Sequence, residues 1–211
     1  TVFQLFQRTI INFKWTAMKM YNELLLKKIR KYITLSEEEC AFIKELFKPL
    51  SLTKGEILLQ EGNTCKYFSY VNKGLLRQFI NYEGKELTIH FNEEDTFICD
   101  FESFISKTPS QKTIIALEDS VLQMISYSNL QQFYKEIREG ERFGRLLLEE
   151  TFIEAIHYII SGLADSPQER YLKFMRQYKN IEQRVAQKYI ASFVGVTPQS
   201  LSRIRRRIAY M

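Results

Sequence analysis

The sequence predicts an α+β protein: an N-terminal β-roll of the double-stranded β-helix or jelly-roll kind with flanking helices, a long helix, and a C-terminal all-α helix-turn-helix. Three observations predict it. Between Leu52 and Ile125 short apolar runs alternate with glycine turns; from about Gly140 to Leu163 apolar residues fall on two helical stripes; and Val185 to Ile208 reads as two short helices about a turn at Gly195. With 211 residues, 45% of them hydrophobic, the chain can fill one substantial core and a smaller second one.

In chain order, residues 1–20 open as TVFQLFQRTIINFKWTA, aromatic-rich and without capping signals, and are set apart as an N-terminal extension, either upstream of the functional polypeptide or an arm packed on the body. Tyr21 to Tyr32 reads as helix. Ser36 with Glu39 three residues on is a capping box for a second helix reaching Phe47, with Phe42, Ile43, Leu46 and Phe47 on its apolar face. The roll follows, its strand-length runs broken at Lys54-Gly55, Glu61-Gly62-Asn63, Asn72-Lys73-Gly74 and Glu83-Gly84. Helix resumes at Ser128.

In the long helix, Leu148, Phe152, Ala155 and Ile159 form one stripe, and Leu146, Ile153, Ile156, Ile160 and Leu163 a second. Two apolar faces must both be covered. One is expected to lie on the roll and the other, Leu148, Phe152, Ala155 and Ile159, to meet the same helix of a second subunit as a dimer interface. Asp165-Ser166-Pro167 breaks this helix and acts as a hinge, and Gln168 to Tyr178 reads as a supporting helix. The expected division is therefore 1–20 extension, 21–127 roll, 128–164 linker and dimerisation helices, and 165–211 helix-turn-helix.

Within the last unit, Thr197 can cap the second helix with its hydroxyl, and Pro198 sits at the first helical position, where a missing N–H costs nothing. Leu201, Ile204 and Ile208 then mark a buried stripe, which at about 100° per residue turns Gln199, Arg203 and Arg206 outward. Ile190, Ala191 and Val194 give the preceding helix a matching face with a small residue at the close approach. A basic helical face is often merely solvated. Here the capped entry and the choice of arginine point to double-stranded DNA, because the guanidinium fork pairs with guanine O6 and N7 and glutamine with adenine N6 and N7. Lys188, Arg205 and Arg207 are expected on phosphates.

Charge agrees. The chain carries a net +5, but residues 166–211 hold ten lysines and arginines against two glutamates, a net of +8, leaving −3 on the other 165 residues. A basic terminal module on a mildly acidic body fits nucleic-acid binding. A membrane surface would instead call for an amphipathic helix with large apolar groups. No apolar run approaches the ~20 residues of a membrane span and no signal-peptide pattern is present, so a cytoplasmic location is expected. Cys40, Cys65 and Cys99 are scattered without C-x-x-C spacing, which argues for buried structural thiols and against a disulfide framework, a metal site or an iron–sulfur cluster. His90 and His157, the two histidines, read as packing residues. With no nucleophile–base set and no phosphate-cradling loop, an enzyme is not expected, nor any metal or cofactor.

The order of parts resembles the Crp/Fnr transcription regulators: a cyclic-nucleotide-binding-like β-roll, a long dimerisation helix and a helix-turn-helix. KGEILLQEGNTCKYFSYVNKGLLR is similar to the roll's opening strands and IASFVGVTPQSLSRIRRR to the DNA-binding motif, the likeness covering about Leu24 to Ile208. The resemblance implies a homodimer with Gln199, Ser200 and Arg203 at base-contacting positions and recognition helices about one DNA turn apart. It further implies a sensor acting through the hinge near Asp165, with RNA polymerase and a small-molecule effector as further partners. Cyclic-nucleotide binders of the family use a glycine-glutamate and then an Arg-Ser or Arg-Thr; the run here is ICDFESFISKTPSQKTIIAL. Asp100 stands for the glutamate, Cys99 for the glycine, and Ser110-Gln111 for the Arg-Ser, so the phosphate's arginine partner is missing. Lys112, on the same side as Ser110, could take another anion. Asp100, Ser110, Gln111 and Lys112 are thus the candidate effector residues, and cyclic AMP is not the expected effector. Backbone contacts from a β-hairpin wing past the recognition helix are not expected. The alternative reading is a ligand-binding or protein-interaction module that uses the roll without binding DNA.

Overall fold

A computed structural model describes residues 20–209, so the N-terminal extension lies outside the described residues but for Met20. Helix α1 (20–29) buries Leu25, Leu26 and Ile29. Helix α2 (Glu37–Leu46) starts at the expected capping box: Ser36 Oγ accepts from the Glu39 N–H at 3.1 Å, and the Glu39 carboxylate accepts from the Ser36 N–H at 2.8 Å. Eight strands follow, β1 (Lys48–Leu52), β2 (Ile57–Leu59), β3 (Tyr67–Lys73), β4 (Leu76–Tyr82), β5 (Lys85–Asn92), β6 (Phe97–Ile98), β7 (Thr113–Ala116) and β8 (Ser120–Ser126), with helix α3 (Phe101–Ser106) between β6 and β7.

The strands form two antiparallel four-stranded sheets, ordered β1-β8-β3-β6 and β2-β7-β4-β5, the strand order of a jelly roll. The roll begins at Lys48, ahead of the Leu52 expected from the apolar pattern. Pro49 is tolerated because β1 is a sheet edge, where a missing N–H breaks no ladder. Gly74, with φ +102°, turns β3 into β4 where any Cβ would strike Ser120, so the turn excludes every other residue. The main core fills the roll and its helical cover, with Ile29, Ile43, Phe68, Val71, Leu122, Ile125 and Phe133 among its buried members.

Ser126 caps helix α4 (Tyr127–Glu136), which hands over to α5 (Gly140–Ala164), 25 residues long. The first turns of α5 are held tightly: Gly140 and Gly144 lie against Tyr134, and Phe143 packs edge-on to Tyr32, Phe97 and Phe133. Past Leu147 the helix leaves the roll. The expectation that one stripe would lie on the roll is therefore corrected, for Phe152 and Ile159 are 67% and 53% exposed while Ile153, Ile160 and Leu163 of the second stripe are 54%, 52% and 84% exposed. His157, expected to pack, is exposed on the same segment.

Helices α6 (Pro167–Gln177), α7 (Gln187–Val194) and α8 (Pro198–Ala209) complete the fold. The break before α6 is as expected, Ser166 and Glu169 forming a second capping box. Arg170 secures it by donating to the carbonyls of Asp165 and Val194, each at 2.7 Å. The core of this module is not its own. Leu75 and Phe91 of the roll share it with Tyr171, Phe174, Tyr178, Ile190, Val194 and Leu201, so this second core draws on residues from both sides of residue 165.

Three side chains reinforce the join. Ser192 on α7 accepts from the Thr88 N–H at 2.9 Å and donates to the Glu86 carbonyl at 2.8 Å. Arg184 pairs with both Glu94 and Glu118. Arg77, 1% exposed, stacks between Phe79 and Tyr189 at 4.4 and 3.9 Å and donates to Thr88 and Glu86 at 2.8 and 2.6 Å.

His90 lies in this seam, its Nδ1 3.3 Å from the Tyr178 hydroxyl, and loss of water there holds its pKa down to about 4. The unfolded chain, with its histidine near the ordinary 6.5, takes up the proton first. His90 therefore contributes stability that is complete above pH 6.5 and lost as pH falls toward 4, on the order of 3 kcal/mol for the full shift. Urea unfolding at pH 7 and pH 4.5 should show a smaller loss for His90→Gln than for the unchanged protein; equal losses would place the pH sensitivity elsewhere.

Candidate nucleic-acid interface and effector cleft

The reading face is built by local rules. Gly195, at φ +77°, closes α7 in the left-handed conformation that a side chain would resist. Thr197 Oγ1 then accepts from the Ser200 N–H at 3.2 Å, and Pro198 opens α8. Leu201 is fully buried, with Ile204 and Ile208 packed against the same core. That fixes the rotation of α8. Gln199, Arg203 and Arg206 are left exposed on its outer side, with no hydrogen bond or ion pair to the described residues.

The other expected contacts divide. Ser200 is half-buried, its hydroxyl accepting from Thr197 at 3.1 Å. Lys188 is exposed on α7, its ammonium 4.9 Å over the Tyr189 ring. Arg205 is paired with Glu182 at 3.0 Å, and Arg207, exposed, reaches Gln168 at 3.5 Å, so both have partners within the module.

In the roll, the expected effector residues satisfy one another. Asp100, 2% exposed at the start of α3, accepts from Ser110 Oγ at 2.6 Å with one oxygen and pairs with Lys112 Nζ at 2.6 Å with the other. Both carboxylate oxygens are engaged and the lysine is neutralised. Gln111 is exposed. Phe104 is buried against Tyr127, and Phe101 packs on Phe68. The open space lies alongside, a cavity of about 710 Å³ lined by residues of β2, the following turn, Ser69, Ile98, Cys99 and Ile114.

Two features escaped the sequence reading. Cys65 and Cys99, far apart in the chain, face each other at 4.0 Å, because β3 pairs with β6, a neighbour no local pattern announces. Arg77 reads as an ordinary strand cation, and only the docking of α7 shows why it is buried. Among the described residues no cluster of three or more metal-ligating side chains occurs, and no helix is long and apolar enough to cross a membrane.

Residues 49–137 match the family model of the cyclic nucleotide-binding domain. No curated protein sequence matches the chain. Solved structures do: a CooA mutant from Carboxydothermus hydrogenoformans at TM-score 0.63 and 21% identity, over 79% of this chain and 78% of that one. FixK2 from Bradyrhizobium japonicum matches at 0.65 and 15%, over 78% and 85%. A putative transcriptional regulator of the Crp/Fnr family from Eubacterium rectale matches at 0.65 and 19%, over 83% and 84%. A roll of this strand order, a long helix springing from it and a capped helix-turn-helix docked beside it thus identify residues 49–137 as a cyclic nucleotide-binding-type domain within a chain that has the fold of the Crp/Fnr regulators.

Proposed function

We propose that the chain is a homodimeric, sequence-specific DNA-binding transcription regulator of the Crp/Fnr type whose roll does not respond to cyclic AMP. The face of α8 carries this reading: Gln199, Arg203 and Arg206 stand exposed and unpaired, and these are the side-chain types that read adenine and guanine edges. Lys188 serves the phosphates, as do Arg205 and Arg207 once their internal partners give way to DNA. Support for the dimer comes from α5, where Leu148, Phe152, Ile153, Ile156, Tyr158, Ile159, Ile160 and Leu163 are all exposed. An apolar surface of that extent on one helix marks an association site. In the dimer, Leu148, Phe152, Ala155 and Ile159 meet their counterparts.

The cleft chemistry argues against cyclic AMP. A bound phosphate would have to displace Lys112 from Asp100, leaving a carboxylate buried beside an anion, and no arginine stands at the Ser110-Gln111 position to offset it. The loss expected is about a thousandfold or more in affinity.

Three measurements test these claims. Fluorescence anisotropy on duplexes should show Arg203→Ala losing about 1–3 kcal/mol on the preferred sequence with little change on random DNA, while Lys188→Ala weakens both alike. Equal losses for both variants on both duplexes would remove the assigned division of roles. In sedimentation, the unchanged protein should run as a dimer at micromolar concentration and Phe152→Glu as a monomer; a monomeric parent would end the dimer reading. Titration calorimetry with cyclic AMP should give no heat of binding in the micromolar range, and a micromolar isotherm would refute the cleft argument.

A further inference from the structure

The sequence separates Cys65 from Cys99 by 34 positions, and the roll returns them to one wall. Cys65 precedes β3 and Cys99 follows β6. Because these strands pair with Ser69 opposite Ile98, the two Sγ atoms come within 4.0 Å. Both border the cavity of about 710 Å³, together with Ser69, whose buried hydroxyl has no hydrogen-bond partner. A small polar molecule entering there meets both sulfurs.

The surroundings make the two thiols unequal. The Cys99 thiol donates to Cys65, and with a further hydrogen bond from the Asp100 backbone this outweighs burial and lowers the Cys65 pKa to about 7. Burial first, and then the neighbouring Cys65, push Cys99 far up. A large fraction of Cys65 is therefore thiolate at neutral pH, the form that attacks. Bonding requires the sulfurs to close from 4.0 Å to about 2.05 Å, a movement of about 2 Å.

We propose that Cys65 and Cys99 form a reversible dithiol–disulfide site that reacts with hydrogen peroxide entering the roll's cavity. The Cys65 thiolate attacks one peroxide oxygen; the O–O bond breaks, leaving a sulfenic acid on Cys65 and a hydroxide that takes a proton to become water. The Cys99 sulfur then attacks the Cys65 sulfur. The S–O bond breaks, and the departing hydroxide leaves as water with the Cys99 proton. In sum the two thiols give up two electrons and two protons, and the peroxide becomes two waters; an external dithiol reverses the change by exchange. The new bond pulls on α3 from both sides, since Cys99 adjoins Asp100 and the Cys65 N–H is bound to Ser103 Oγ at 2.8 Å. Cys40 stands apart as an internal control, buried and accepting from Arg30 at 3.1 Å.

The test needs no DNA, so its failure and that of the regulator reading are distinct. Reduced full-length protein is treated with hydrogen peroxide, alkylated, digested without reductant and mapped by mass spectrometry. The expected result is a Cys65–Cys99 linked peptide pair and a loss of about 2 Da, reversed by dithiothreitol, with the rate falling about tenfold per pH unit below 7. Cys99→Ser should stop at a sulfenic acid on Cys65 that dimedone captures, and Cys65→Ser should slow oxidation of Cys99 at least about tenfold. Should either variant fail to fold, the map of the unchanged protein decides alone. Separate oxidation of each thiol to sulfinic acid without the linked pair, links only between chains, or Cys40 reacting first would overturn the proposal.

Discussion

Phe91 is the residue on which the arrangement of the molecule depends. It leaves β5 at the seam between the sheet and the helical module, and its ring meets Phe174, Tyr178 and Phe193 at 6.1, 5.8 and 5.7 Å. The module after Asp165 gathers Tyr171, Phe174, Ile190, Val194 and Leu201 into a small core. By drawing Phe91 and Leu75 into its interior it completes that core, and in doing so its orientation is fixed by the roll. The rotation of α8, and hence which side chains face outward, is inherited from a strand more than a hundred residues earlier.

The same attachment bears on how a second subunit could fit. Helix α5 departs from the roll after Leu147 and carries apolar residues around most of its circumference. A partner offering only its own α5 would cover one stripe and leave the other in water. Covering the whole apolar surface of the helix would ask for a second surface beside it. Tyr158 of α5 already touches Phe193 of α7, so the rod is in contact with the helix-turn-helix within each subunit.

Much of this was legible in the chain because the signals are local. The capping box at Ser36, the break at Asp165-Ser166-Pro167, the Thr197-Pro198 entry to α8 and the glycine turns each declare a structure within a few residues, and each formed where expected. The outward side of α8 followed from the spacing of Leu201, Ile204 and Ile208. What the pattern could not carry was any relation set by non-sequential strand pairing or by docking. Lys112 was legible as sharing a side with Ser110, yet not as the partner that neutralises Asp100. The exposure of both stripes of α5 was hidden for the same reason: periodicity tells which residues share a face, not how far a helix runs beyond its support.

Arg77 shows what that docking holds back. Its guanidinium has shed its water, sits between two rings, and keeps one nitrogen, Nη2, without a partner. Drawing α7 away would rehydrate this cation and satisfy the idle nitrogen while breaking the stack on Tyr189, two effects of opposite sign. The join at this point therefore rests on the apolar core around Phe91 and Leu75, with the buried cation acting in both directions.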